Sequence, residues 1–384
     1  MSTTLDRHAP VASDPTRAAD PARAAVPSRA EDSASAAPAP AGPPDTSRTP
    51  LWDNARLLVI VLVVFGHLIE SIRGTPVLHA LYDLVYAFHM PALLLIAGVF
   101  ASSDRLSPKR LAGTAQLLVT WLVVEFGWAL ERAVTGHAPF PTTFLVMPEW
   151  AAWFLISLFT MRMLLPYVAL LPYPLIFTFV LALGAGLVPT IGQEFSVSRS
   201  VALLPFFALG WTVRQRGLDR RAWFLAPSVG LRLTAGLALV AAAAGVLALI
   251  ALPHFSGDLL TWRRSYSAMG YGPLQGLALR AAMLAIAGAM TLAVLVLVPR
   301  RARWFTRLGE NTLYVYLLHI PVILTIRAWH LDARIEHLPL SPVLAFALAV
   351  AITLVLSQPI VKRLCGWALE PRWLFRRALQ PRPA

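Results

Sequence analysis

Apolar runs of membrane-crossing length follow one another from Leu51 almost to the end of the chain, separated by short polar or cationic segments. Crossing about 30 Å of hydrocarbon takes roughly 20 residues of α-helix, and about ten stretches approach or exceed that length. Their limits fall near 55–73, 79–101, 112–132, 150–166, 173–189, 200–214, 231–252, 274–298, 311–329 and 342–363. The fifth and sixth are the least regular, because Pro174, Pro189 and Pro205 interrupt them. Barrel strands need only about 9 to 11 residues and alternate strictly, so these longer runs exclude a barrel. The pattern predicts an all-α, polytopic membrane helical bundle of about ten transmembrane helices.

The first 50 residues contain 13 Ala and 9 Pro and show no helical or strand period. They are expected to form a disordered tail, 1–50, ahead of a membrane domain, 51–365. No apolar stretch follows a basic start there, so the first span is expected to direct insertion itself. Cationic loops set its direction. Clusters such as Arg105, Lys109 and Arg110, Arg214 to Arg221, and Arg300 to Arg307 fall on the side of the tail. The opposite side holds only Arg73, Arg132, Arg199, Arg263, Arg264 and Arg334. Both termini, including a basic C-terminal tail, 366–384, are therefore expected in the cytoplasm, with the chain in the plasma membrane.

Composition agrees with this class: 57% of residues are hydrophobic and 14% charged, against about 25% charged in soluble domains. A net charge of +13 would suggest nucleic acid for a soluble protein. Here the cations sit between spans, so membrane lipid is the expected partner and nucleic acid is not. Cys365 is the single cysteine, which excludes an intrachain disulfide and any CxxC site.

Ionisable residues within spans cost about 2.5 to 3.5 kcal/mol on insertion scales, so each is a candidate for function. In the first span, ten residues without a charge lie between Arg56 and His67, which are eleven steps apart. At about 100° per residue both fall on one helix face, roughly 16 Å apart along the axis. A cation at the cytoplasmic edge and an imidazole near mid-membrane suit a long anionic molecule whose phosphates bind Arg56 while its reactive end reaches His67. The competing reading makes Arg56 an interfacial anchor and His67 an interhelical hydrogen-bonding group. His89 and His319 fall at a depth similar to His67, either as part of the same site or as polar links between helices. No HxH or HxxxH pair supports a metal site. Glu70, one turn from His67, could tune the imidazole or contact substrate. Glu125, a deep carboxylate, could orient a histidine, bind a sugar hydroxyl or pair with an arginine. Arg162 could snorkel to lipid or to ligand phosphates, and Arg280 and Arg327 read as interfacial anchors.

Four motifs then bear on identity. They are Trp52-Asp53-Asn54-Ala55-Arg56 leading to Val63-Val64-Phe65-Gly66-His67; Phe88-His89-Met90-Pro91 followed by Ala97-Gly98-Val99-Phe100; Trp153-Phe154-Leu155 with Arg162; and Gly309-Glu310-Asn311-Thr312-Leu313 with Tyr316-Leu317-Leu318-His319. In this order and spacing, over roughly 51–365, the chain resembles the membrane acyltransferase-3 family, in particular its fucose 4-O-acetylase-like branch. The resemblance implies transfer of an acyl group, usually acetyl from acetyl-CoA, to a hydroxyl of a sugar or surface glycan, with no permanently bound cofactor. It also implies His67 as the essential histidine and Arg56 as its basic partner. Arg105, Lys109 and Arg110 match the family's basic cluster after the second span in charge, although the RxxR pattern of some members is absent. Glu70, His89, Glu125 and His319 complete the candidate catalytic set, and Arg162 the candidate donor-binding set. General-base catalysis and an acyl-imidazole intermediate are both compatible with this sequence. A transporter or flippase of a glycan or lipid-linked precursor is the alternative class; it would carry an internal repeat, and none is visible.

Overall fold

The structure is a computed structural model that describes residues 49–104, 107–134, 143 and 145–375, with the Arg132 side chain left out. The expected tail, apart from its last two residues, and Arg105 lie outside the described residues. Every regular element described is helical. In chain order the α-helices are α1 (Pro50–Ile69), α2 (Pro76–Val99), α3 (Pro108–Val134), α4 (Trp153–Val168), α5 (Pro174–Ala185), α6 (Val197–Ala202), α7 (Leu204–Gln215) and α8 (Ala222–Leu225). They continue with α9 (Val229–Ile250), α10 (Asp258–Thr261), α11 (Pro273–Leu297), α12 (Thr312–Ala328), α13 (Leu331–Glu336), α14 (Ser341–Leu356) and α15 (Pro359–Leu369). Prolines open α1, α2, α3, α5, α11 and α15, where their fixed φ favours a helix and the missing N–H would have no partner in any case. Thr75 and Ser228 cap α2 and α9 by accepting from the backbone N–H of Leu78 and Leu231.

Among the described residues, six segments are long and apolar enough to cross a membrane: α1, α2, α3, α9, α11 and the run Thr306–Ala328 containing α12. Two further spans arise if each bent pair counts as one, namely Glu194–Ala202 with α7, bent by 57°, and α14 with α15, bent by 71°. Of the ten expected stretches, the other two are α4 and α5, whose 16 and 12 residues reach only about 24 and 18 Å. Apolar composition counted them as spans, whereas helix length sets them apart. α15 also takes in the first residues assigned to the C-terminal tail, ending at Leu369.

α1 is, together with α2, the most buried of the candidate spans. Of its apolar window 72% is buried, against 11% for α9, so α1 meets protein on nearly all sides while α9 presents its surface outward. It packs against α2, α12, α14 and the 3-10 turn Thr306–Asn311. Polar residues at its start fasten it there: the Asn54 amide donates to the carbonyls of Pro299 and Arg301 and accepts from Thr306 Oγ1. Gly309 abuts the same turn of α1, since a Cβ there would lie 2.1 Å from the Asp53 carbonyl oxygen. α2 lies as close to α7, where a Cβ on Gly210 would stand 1.9 Å from Leu95 O. Small residues allow such backbone approach between membrane helices.

Candidate active site

His67 stands in the last turn of α1 rather than near its middle, because the helix ends at Ile69. The expected mid-helix position came from starting the span at residue 55; the helix in fact begins at Pro50, with Trp52, Asp53 and Asn54 buried. Arg56 and His67 therefore lie toward opposite ends of α1, His67 lining one cavity and Arg56 stacked on Phe100 at the edge of another.

At the His67 end, a cavity of about 330 Å³ is lined by residues from α1, α2, the segment before α4, α6 and the segment after α10. His67 Nδ1 lies 3.5 Å from Glu70 Oε2 and 3.5 Å from the Tyr86 hydroxyl, the outer limit of hydrogen bonding. Its Nε2 has no protein partner among the described residues. With the proton on Nδ1 toward Glu70, the free Nε2 is a lone-pair acceptor. Glu70 and Tyr86 both face Nδ1, an arrangement in which the carboxylate favours a proton on that nitrogen. Arg327 secures both members: Nη2 donates to the His67 carbonyl at 2.7 Å and lies 3.5 Å from Glu70 Oε2. Its guanidinium also stands over the Trp150 ring at 5.3 Å. Arg327 is thus a half-buried brace of the site and not simply the interfacial anchor expected from sequence. Arg280 is not an anchor either; it is 2% exposed, donates to Arg264 O and stacks over Tyr266.

The other two histidines converge on the first. The His319 ring centroid is 5.3 Å from that of His67, and His89 is linked to His67 through Tyr86, whose ring is 4.9 Å from His89 and 6.2 Å from His67. Each donates Nδ1–H to the carbonyl four residues earlier, His89 to Val85 and His319 to Val315. Both are thereby held with Nε2 as acceptor, and His319 Nε2 is buried without a partner. Each also precedes a helical proline by two residues, Pro91 and Pro321, a repeated His-x-Pro pattern legible in the sequence. Among the described residues no group of three His, Cys, Asp or Glu has the arrangement of a metal site.

Glu125 does not join this set. Its Oε1 accepts from the Glu149 backbone N–H at 2.9 Å and from Trp121 Nε1 at 3.3 Å, so it acts on the cavity by holding Glu149, which lines it. Sequence reading missed Trp150, Trp262, Arg199 and Arg263 altogether as site residues. Two of them, Trp150 and Trp262, have left-handed backbones, with φ of 43° and 60°. For bulky residues this conformation costs on the order of 1–3 kcal/mol and is concentrated at functional sites.

At the Arg56 end, a second cavity of about 280 Å³ brings together Lys109, Arg110 and Arg162 with Phe100, Ser102 and Ser107. The Arg56 guanidinium, ion-paired with Asp53 at 3.1 Å, lies 4.2 Å from the centroid of the Phe100 ring. Arg110 donates to the carbonyls of Asp104 and Arg162, and Arg162 Nη1 approaches Gly113 O at 3.5 Å. Arg162 therefore turns into this cavity beside the first turn of α3, whose unpaired backbone N–H groups favour anions.

A family model described as an acyltransferase domain matches residues 51–362, nearly all of the described chain. The chain belongs to the acyltransferase-3 family. Neither the curated proteins nor the solved structures yield a match. This acyltransferase is a multi-pass membrane protein, and the transport reading gives way to acyl transfer. Its oriented imidazole and its basic cavity occupy opposite ends of α1.

Proposed function

We propose that the protein is a plasma-membrane O-acetyltransferase that moves an acetyl group from cytoplasmic acetyl-CoA to a hydroxyl of a sugar or cell-surface glycan. One observation carries the reading: α1 presents a guanidinium beside a basic cavity at its N-terminal end and an imidazole braced by Glu70 and Arg327 at its other end. With both termini in the cytoplasm, Arg56, Lys109, Arg110 and Arg162 take the donor's phosphates, with Arg105 adding charge from the same loop. The His67 cavity then receives the acceptor from the opposite face. The likeness to the fucose 4-O-acetylase-like branch and the aromatic walls of the cavity support a sugar as acceptor.

His67 Nε2 takes the proton of the acceptor hydroxyl as its oxygen attacks the thioester carbonyl carbon. The C–S bond breaks, and the proton passes to the departing thiolate. A thioester is already activated, so a general base and correct placement account for most of what the site must supply. Glu70 stabilises the imidazolium formed on the way. His89 and His319 surround the base with fixed acceptors. On the face shared by Arg56 and His67, Ile60 and Val63 are each 1% exposed. The donor's arm must therefore displace side chains along that face to reach His67.

Arg327 should act by position. Arg327→Met is expected to lower kcat by about tenfold to a hundredfold, the scale of a misplaced catalytic group, with the KM for acetyl-CoA nearly unchanged. A change confined to KM would remove Arg327 from the brace. The assignment itself is tested by incubating membranes with labelled acetyl-CoA and candidate glycans. Label should reach a glycan only where the protein is present, and equal labelling in membranes lacking it would refute the activity.

A further inference from the structure

Arg199 stands out among the cavity residues because its charge is not answered. It is the third residue of α6, which follows the left-handed pair Phe195 and Ser196. The guanidinium lies 4.6 Å from the Trp153 ring centroid, and Nε donates to the Thr261 carbonyl at 3.3 Å. Its two terminal nitrogens meet no partner, and no carboxylate among the described residues lies within ion-pair distance of it. Arg263, the other arginine lining the cavity, is engaged: Nη2 is 3.7 Å from Asp258 and Nε donates to Thr261 Oγ1. A guanidinium held inside protein without a counter-charge is costly, and this one borders the cavity that holds His67.

A second group there has the same deficit. Trp262 is 2% exposed and lines the cavity, and its Nε1–H is buried without a hydrogen-bond partner. Indole N–H and guanidinium are donors only, so together they call for a group that only accepts, such as a carboxylate or phosphate. Trp150, Trp153 and Trp262 supply flat apolar walls that match the C–H faces of a pyranose ring. The cavity volume is within the range of about 300–1,000 Å³ typical of small-molecule sites.

We propose that Arg199, which shares the cavity lining with Trp262, binds the anionic group of the acceptor, so that the hydroxyl acylated at His67 belongs to an acidic sugar. The inference rests on reading this cavity as the acyl-transfer site. It gives Arg199 a role in choosing the acceptor, distinct from the donor-binding arginines at the other end of α1.

The test uses the purified full-length protein and two matched pairs of probes: methyl glucuronide against methyl glucoside, and glucose 6-phosphate against glucose. Binding is read from tryptophan emission, and transfer from labelled acetyl-CoA is followed in parallel. The acidic member of at least one pair should bind about tenfold or more tightly than its neutral partner, as expected for a charge-assisted contact, and the pair that shows this distinguishes carboxylate from phosphate. Arg199→Gln should collapse the ratio to within about twofold, and Arg199→Lys should retain part of it. Equal affinity for acidic and neutral members in the unaltered protein would overturn the proposal. So would an Arg199→Gln variant that weakens both members alike, the result expected if Arg199 instead stabilised the reaction's oxyanion or the fold. Selective acid binding without any acetyl transfer would sustain the anion-binding role of Arg199 and contradict the activity. Transfer with equal preference for acid and neutral sugars would do the reverse.

Discussion

Replacing His67 by alanine should lower acyl transfer at saturating donor and acceptor by about 10²- to 10⁴-fold, the usual contribution of a positioned general base. The protein should still insert and stay folded, because the imidazole borders a cavity and its ring makes only two long polar contacts, to Glu70 and Tyr86. Truncation there removes little packing, in contrast to the fully buried Leu68 and Ile69 beside it. His67→Gln sharpens the comparison. Glutamine keeps much of the volume and can still hydrogen-bond Glu70, but it cannot accept and return a proton at neutral pH. Comparable loss in both variants, with unchanged thermal stability in detergent, is the expected pattern. Full activity in His67→Gln would reduce the histidine to a structural link between α1, α2 and α12.

Arg56→Ala should act on a different parameter. The residue is roughly 16 Å along α1 from the imidazole and next to the cavity that gathers Lys109, Arg110 and Arg162. Losing a hydrogen bond to a charged group costs about 1.5–3 kcal/mol, so the KM for acetyl-CoA should rise by roughly ten- to a hundredfold while kcat changes little. Arg56→Lys should recover part of the affinity, since a point charge still attracts phosphate although the fork is lost. Steady-state kinetics over a range of donor concentration separate the two. A fall in kcat with unchanged KM would mean that Arg56 does not hold the donor.

The helical pattern was legible because lipid imposes it. Each apolar run has a helical counterpart, and the prolines at their edges mark helix starts. Length was harder to read, since α4 and α5 have the composition of spans but stop after 16 and 12 residues. Within the site, counting residues along separate helices placed His67, His89 and His319 at similar depth, and packing brings their rings together. Counting misjudged where His67 falls along its helix, because buried polar residues at the start of α1 do not register as part of an apolar run. Trp150, Trp262 and Arg263 lie in non-helical segments, where no period links a residue to its neighbours in space. Arg199 reads as a loop charge and Arg327 as an interfacial anchor until the fold turns them toward the cavity. Glu125 shows the opposite error: a deep carboxylate suggested chemistry, yet its oxygen is engaged with the Glu149 backbone and the Trp121 indole.

Donor and acceptor are proposed to meet at His67 from opposite faces of the membrane, and sealed vesicles of known orientation put this to the test. Labelled acetyl-CoA is supplied to one face only, with the glycan acceptor confined to the other, for the unaltered protein and for His67→Gln. Label should cross to the acceptor when the donor is given to the cytoplasmic face, should not do so when the donor is given to the outer face, and should be lost in the variant. Equal transfer from either face, or transfer that persists in His67→Gln, would contradict the account.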